Sequence, residues 1–263
     1  LPILAQFFTG GLLSGCLIFY TRSANVIASW PFILLLAAIF FGNELFSKYR
    51  ERLTFQTVQL FFALYAYAIF ELPIERGVMG TSVFLESGVA SVILFAAFLG
   101  ILYVVAPKRL LQSLRRILIS SGVILVVVNL FYFTGILPPL PLSLKEADVY
   151  HLVTHTGAGY EVQSEATPSG FFGTEVIHHG PGTPLYAYSA VFAPVDLTTP
   201  IVHRWEEYEN GSWQTVAAIA FSVSGGRENG YRGYSEITNV TPGAWRLSIE
   251  TLNHAVLGRV RFN

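Results

Sequence analysis

The sequence predicts a membrane-embedded α-helical bundle of about five transmembrane helices, followed by an all-β sandwich domain. Three observations predict it. Five apolar segments, 1–20, 26–46, 55–74, 83–106 and 117–137, are each long enough to cross a ~30 Å hydrocarbon core as helix. The last of them runs into Pro138, Pro139 and Pro141, which cannot continue a helix. Beyond Lys145 the apolar residues stop being continuous and begin to alternate.

Composition agrees with this division. The chain of 263 residues is 52% hydrophobic and 13% charged, where a soluble globule carries roughly 25% charged residues. Residues 1–144 hold nine basic and five acidic side chains, and the remainder holds seven and twelve, so the parts are +4 and −5. An acidic β domain with scattered arginines argues against a nucleic-acid partner, which needs a clustered basic face. Cys16 is the single cysteine, so neither an intrachain disulfide nor a cysteine zinc site can form. Segment 1–20 is too long and too evenly apolar for a cleaved signal and is read as a retained helix.

Taking the helices in order, the second segment opens on Ser29-Trp30-Pro31, which reads as a helix N-terminus with an interfacial tryptophan. Lys48, Arg50 and Arg52 follow it, and Lys108, Arg109, Arg115 and Arg116 follow the fourth segment. Positive residues stay in the cytoplasm, which places both basic loops inside and the chain after Pro141 outside. The three prolines predict a short, stiff polyproline spacer that holds the β domain near the bilayer. The expected domains are therefore 1–137 in the membrane, 138–147 as linker and 148–263 as the external domain.

In that last region Trp213, Ala217, Ile219, Phe221 and Val223 share one parity. Trp245, Leu247 and Ile249 alternate with polar residues, as do Val256, Val260 and Phe262. This is the period of half-buried strands. Asn210-Gly211 between two such runs signals a tight hairpin. About seven or eight strands are expected, in an immunoglobulin-like sandwich.

The residues His203-Arg204-Trp205, Gly226-Arg227, Tyr234-Ser235, Pro242-Gly243-x-Trp245-Arg246 and a last strand ending at Phe262 resemble a bacterial family, domain of unknown function 2914. The juncture from Asn129 through Pro138-Pro139 to Lys145 is similar too. Glu206-Glu207-Tyr208 and the long loop at 227–232 depart from the family's tighter form. The resemblance implies a C-terminal β domain after several membrane helices and an inner-membrane setting. It implies no activity.

Few side chains suggest chemistry. Glu71 and Glu86 lie near the outer ends of two segments, where a proton or cation site is conceivable, but interfacial pairing with Arg22 or Arg76 is the simpler reading. Glu44 reads as a further interfacial pair. Asn129 is placed to hydrogen-bond between helices, and Gly11 and Gly15 form a GxxxG that would admit a close helix neighbour. All six histidines follow the prolines, which leaves the helices no imidazole for haem. His151 with His155, and His178-His179, lack a carboxylate at ligand spacing, so no metal or cofactor is expected. There is no G-x-S-x-G, S-x-x-K, H-E-x-x-H or Walker loop.

What remains is aromatic and arginine chemistry on the β domain. Arg204, Trp205, Arg227, Arg232, Tyr234 and Arg246 are the candidate partner-binding residues, since Trp, Tyr and Arg anchor interfaces. Trp213 and Trp245 are read as core. The leading expectation is a non-enzymatic inner-membrane protein whose periplasmic sandwich docks other membrane subunits, with a homo-oligomer allowed. A cell-wall or polysaccharide-binding module is the alternative, and a small transporter or membrane enzyme using Glu71 and Glu86 is the third.

Overall fold

The structure is a computed structural model that describes residues 2–23, 26–45, 52–157, 159–163, 176–180 and 182–263. It divides into two compact units, Leu1–Pro141 and Leu142–Asn263.

Among the described residues the first unit contains five helices: α1 (Pro2–Ser23), α2 (Val26–Leu45), α3 (Leu53–Arg76), α4 (Thr81–Val105) and α5 (Pro107–Phe133). The last three are long and apolar enough to cross a membrane. Helix α3 is the hub. Phe62, Tyr65 and Ile69 pack with Tyr20, Phe32 and Leu36 of α1 and α2, and with Phe84 and Val128 of α4 and α5. Phe61 on the same helix joins Phe95, Leu110 and Ile117. Helix α4 is buried far less, and Val89, Ile93, Ile101 and Val104 stand exposed along it. Helix α2 begins at Val26 and carries Pro31 inside it, so Ser29-Trp30-Pro31 is not its start.

Two junctions differ from expectation. The basic stretch after α4 is not a loop. Ala106 is the single residue between the helices: its N–H bonds Leu102 O at 2.8 Å, and its carbonyl accepts from Leu110 N–H at 3.1 Å. Pro107 opens α5, a position that suits its fixed φ and missing N–H. Lys108, Arg109, Arg115 and Arg116 therefore ride on the first turns of a helix, where long basic stems can reach water without unwinding the chain.

At its far end α5 stops at Phe133, before the prolines. Gly135 turns left-handed (φ 70°), and Ile136 and Leu137 both donate to Phe131 O. The proline stretch is no extended spacer. Residues 137–142 are buried, and Leu140 N–H bonds Pro138 O at 2.8 Å, a tight turn that polyproline geometry does not make. Strand pairing begins at Ser143, so residues 143–147 belong to the β unit rather than to the expected linker.

The second unit contains nine strands among the described residues: β1 (Ser143–Tyr150), β2 (Leu152–Thr156), β3 (Gly159–Gln163), β4 (Leu185–Phe192), β5 (Thr198–Glu209), β6 (Ser212–Ser224), β7 (Tyr231–Ile237), β8 (Trp245–Thr251) and β9 (Val256–Phe262). They form a three-stranded sheet β1-β4-β7, a four-stranded sheet β6-β5-β8-β9 and the hairpin β2-β3. Asn210 and Gly211, both at positive φ, close the β5-β6 hairpin in two residues, as Asn-Gly predicts. The two main sheets face each other across apolar residues such as Val191, Leu247 and Ile249. Their approach is close enough that a methyl at Gly233 would overlap the Phe221 ring, and one at Gly258 would overlap Leu144.

A bulge corrects one core assignment. Trp205 pairs with Ala217 but Glu206 pairs with Thr215, leaving Val216 unmatched. One extra residue reverses strand parity, so Trp213 leaves the face it would share with Ala217 and Ile219. Trp213 lies instead on the outer face, beneath Arg246 at 4.5 Å. Trp245 is buried.

Candidate functional site

Alternation along three paired strands builds an outer face from tyrosines. Tyr150 on β1 pairs with Tyr186 on β4. Tyr188 on β4 pairs with Tyr234 on β7. Their even spacing puts all four side chains on the side of the sheet turned away from the four-stranded sheet. The β2-β3 hairpin adds Tyr160, whose ring stands 5.8 Å from Tyr188 and 6.0 Å from Tyr234. Its hydroxyl reaches the Arg232 carbonyl at 3.5 Å. Tyr150 meets Tyr188 edge-on at 6.1 Å, and His155 meets Tyr160 edge-on at 5.0 Å.

The cluster is graded from dry to wet. Tyr150 and Tyr188 are buried with Val153, whereas Tyr234 is 42% exposed. Asp148, Arg232 and Glu236 share the same outward parity and supply charge around the rings. Burial, reinforced by the Glu236 carboxylate, pushes the Tyr186 phenol above its ordinary value. Burial also raises Tyr188, against the pull of Arg232. The hydroxyls of both thus remain neutral donors and acceptors at physiological pH. Tyrosine offers large contact area with few rotors and a polar tip, which suits a recognition surface.

The six expected partner-binding residues do not form one surface. Arg232 and Tyr234 lie on the tyrosine face, and Arg227 is exposed in the turn before β7, over the Tyr231 ring at 5.0 Å. Trp205 is completely buried, its Nε1–H donating to Ser235 Oγ at 3.1 Å. Arg204 and Arg246 are committed to carboxylates on the outer face of the four-stranded sheet. Arg246 grips Glu206 with two bonds of 2.7 Å, and Ser248 donates to the same carboxylate at 3.1 Å. Arg204 pairs with Glu250 at 2.6 Å, and His254 lies 3.1 Å from the same oxygen. Burial works to raise the Glu206 carboxyl, but Arg246, Ser248 and Arg259 outweigh it and hold the group below its ordinary value.

A second polar group lies between the two main sheets. His203 Nε2 lies 2.7 Å from Ser189 Oγ, and its Nδ1 lies 2.9 Å from Ser235 Oγ. A serine–histidine contact invites comparison with an activated nucleophile. Ser189 and His203 are fully buried and Ser235 nearly so, which closes the trio off from solvent. Burial holds His203 down to about 4, so the ring is neutral.

The remaining expected sites resolve simply. Arg76 and Glu86 form a solvent-accessible pair at 3.0 Å. The side chains of Arg22 and Glu44 lie outside the described residues. Asn129 donates to Tyr65 OH at 3.1 Å, linking α5 to α3. A methyl at Gly11 or Gly15 meets nothing within 4 Å, so no described helix of this chain packs closely against them. His178 and His179 line an open cleft of about 540 Å³ with Thr241 and Trp245. Among the described residues no three metal-ligating side chains come together.

Residues 198–263 match the family described as Protein of unknown function (DUF2914). The match spans β5 to β9, the whole four-stranded sheet plus β7, and is consistent with a C-terminal domain of that family. It takes in His203, Trp205 and Ser235 and both arginine–carboxylate pairs, and leaves out β1 and β4. No curated protein matches the chain.

Proposed function

We propose that this chain is a multi-pass protein of the bacterial inner membrane. Its periplasmic, immunoglobulin-like β domain docks a membrane-associated partner and performs no reaction of its own. The apolar length of α3, α4 and α5 supports insertion, and the positive-inside rule supports the orientation. The strand orders β1-β4-β7 and β6-β5-β8-β9, with a buried tryptophan on the third strand of that core, support the immunoglobulin-like reading.

The observation that carries docking is the tyrosine face. Five tyrosines with Arg232 and Glu236 at the rim make a graded patch of the kind that anchors interfaces. Its partner reads as another subunit of a larger membrane assembly. The test is purification of the full chain from membranes in mild detergent. A Tyr186→Ala/Tyr234→Ala variant should lose a stoichiometric membrane subunit that the wild type and an Arg261→Ala control both retain. Retention by all three removes the tyrosine face from the interface. Retention on murein instead of on a protein moves the reading to a cell-wall module.

A further inference from the structure

Tyr65 and Asn129 hold each other within the helical unit, yet each keeps one hydrogen-bonding function unspent. Asn129 Nδ2 donates to Leu125 O at 2.8 Å and to Tyr65 OH at 3.1 Å. The first bond fixes the amide orientation, because a carbonyl can only accept. Both amide protons are then in use, the tyrosine oxygen is an acceptor, and its own proton points elsewhere. Among the described residues nothing accepts that proton and nothing donates to Asn129 Oδ1. Tyr65 is nonetheless only 1% exposed. Both side chains line a groove of about 310 Å³ where α3, α4 and α5 meet, walled by Val89, Ile93 and Leu125. Gly88 lines it too: a Cβ there would stand 3.5 Å from the Tyr65 oxygen, so glycine leaves the hydroxyl uncovered on that side. Tyr65 is midway along α3, about 16–18 Å of helix from either end. In a bilayer there is no water at that depth, and a polar function left alone there is costly.

We propose that this groove binds an apolar, membrane-soluble molecule through one phenolic hydroxyl, the chemistry of a quinol. The hydroxyl oxygen accepts from Tyr65 O–H, and its proton goes to Asn129 Oδ1, so a single group satisfies both. A quinone carbonyl can meet only the tyrosine. Glycerolipids carry their oxygens at the interface, about 15 Å from the midplane, so their acyl chains offer the pair nothing. A neighbouring helix is about 10 Å across and cannot enter a groove of this volume, which is at the small end of ligand pockets and suits one ring. Such a site requires that α3, α4 and α5 lie in a membrane, as proposed above, and it is independent of the tyrosine face.

The test uses the full chain. Membranes washed with alkaline carbonate should retain it, and its release overturns insertion and the site together. Reconstituted in phospholipid nanodiscs, the chain should bind duroquinol (tetramethylhydroquinone) saturably, one per chain, in isothermal titration. Duroquinone should bind about 3- to 10-fold more weakly, the loss of one hydrogen bond. Durene, the same ring without oxygens, should only partition into the lipid. Equal affinity for duroquinol and either of the others, or no saturable binding, overturns the site while leaving insertion intact. Tyr65→Phe should weaken duroquinol by a similar factor, and Gly88→Leu should abolish saturation with helical circular dichroism unchanged. Val89→Trp, at an exposed position on the groove wall, should repeat that loss if Gly88→Leu misfolds. Saturable binding that survives the filling of the groove lies elsewhere and overturns the site. Tyr186→Ala/Tyr234→Ala should bind duroquinol as the wild type does, which separates failure of the groove from failure of docking.

Discussion

His203 Nδ1 and Ser235 Oγ sit 2.9 Å apart across the gap between the two sheets, so one neutral imidazole ties β5 to β7. Trp205 Nε1–H occupies another lone pair of the same oxygen. The Ser235 hydroxyl proton can then turn to Nδ1, which leaves the imidazole proton on Nε2, facing Ser189. A second ring proton, on Nδ1, would require the Ser235 hydroxyl hydrogen to turn away.

Stability of the β unit should therefore depend on pH below neutrality. The unfolded ring takes a proton near 6.5 and the folded ring only near 4, so between these values the unfolded state binds more protons. The contribution is complete above about 6.5 and is lost as pH falls toward 4, roughly 2–4 kcal/mol in all. Denaturant midpoints at pH 7.5, 6 and 4.5 should decline for the wild type. His203→Gln should be weaker at pH 7.5 and show a flatter decline. Parallel slopes would mean that other groups carry the dependence.

Arg246 and Arg227 should behave oppositely on truncation. Arg246→Ala leaves the Glu206 carboxylate buried without its two-bond partner and should cost about 2–4 kcal/mol. The double variant Arg246→Met/Glu206→Leu should recover much of that loss, because no orphaned charge remains. Arg227→Ala removes an exposed side chain over Tyr231 and should leave the melting temperature nearly unchanged. Equal losses at the two positions would contradict the assignment.

Gly233 should tolerate a side chain less well than Gly258. A methyl at Gly233 meets the Phe221 ring, which is held edge-on to His203 at 4.8 Å, and overpacking of this kind costs about 1–3 kcal/mol. At Gly258 the obstacle is the end of Leu144, which can rotate away. Thermal melts of Gly233→Ala and Gly258→Ala give the order directly.

Orientation can be checked with two exposed positions. In a Cys16→Ser background, Gln112→Cys on α5 should resist an impermeant thiol reagent in intact cells. Glu228→Cys in the turn before β7 should react once the periplasm is accessible. Labelling of Gln112→Cys from outside would invert the proposed topology.

The helices and strands were legible where one physical signal sufficed. Apolar length marked the α3 and α4 segments, period-two alternation marked β8 and β9, and Asn210-Gly211 marked its turn. The failures came where two signals competed. Lys108 to Arg116 read as a loop because charge outweighed their helix-forming character and the proline at N1. Trp205 read as surface because it stands beside arginines, although Ile201, His203 and Trp205 share a parity that points inward. The tyrosine face was the hardest to see, since register alone unites four separate strands. Tyr186 and Tyr188, two apart on β4, were its one local trace.

The unmatched Val216 gives the β5-β6 hairpin two reading frames. On the turn side, Trp213 and Thr215 face outward with Glu206, while on the far side Ala217, Ile219 and Phe221 face the core. A homologue one residue shorter here would have to rotate Trp213 inward or Phe221 out. A substitution at Val216 disturbs one exposed side chain, whereas a deletion exchanges the two faces. Within this hairpin, chain length rather than residue identity is the property that descent is least free to alter.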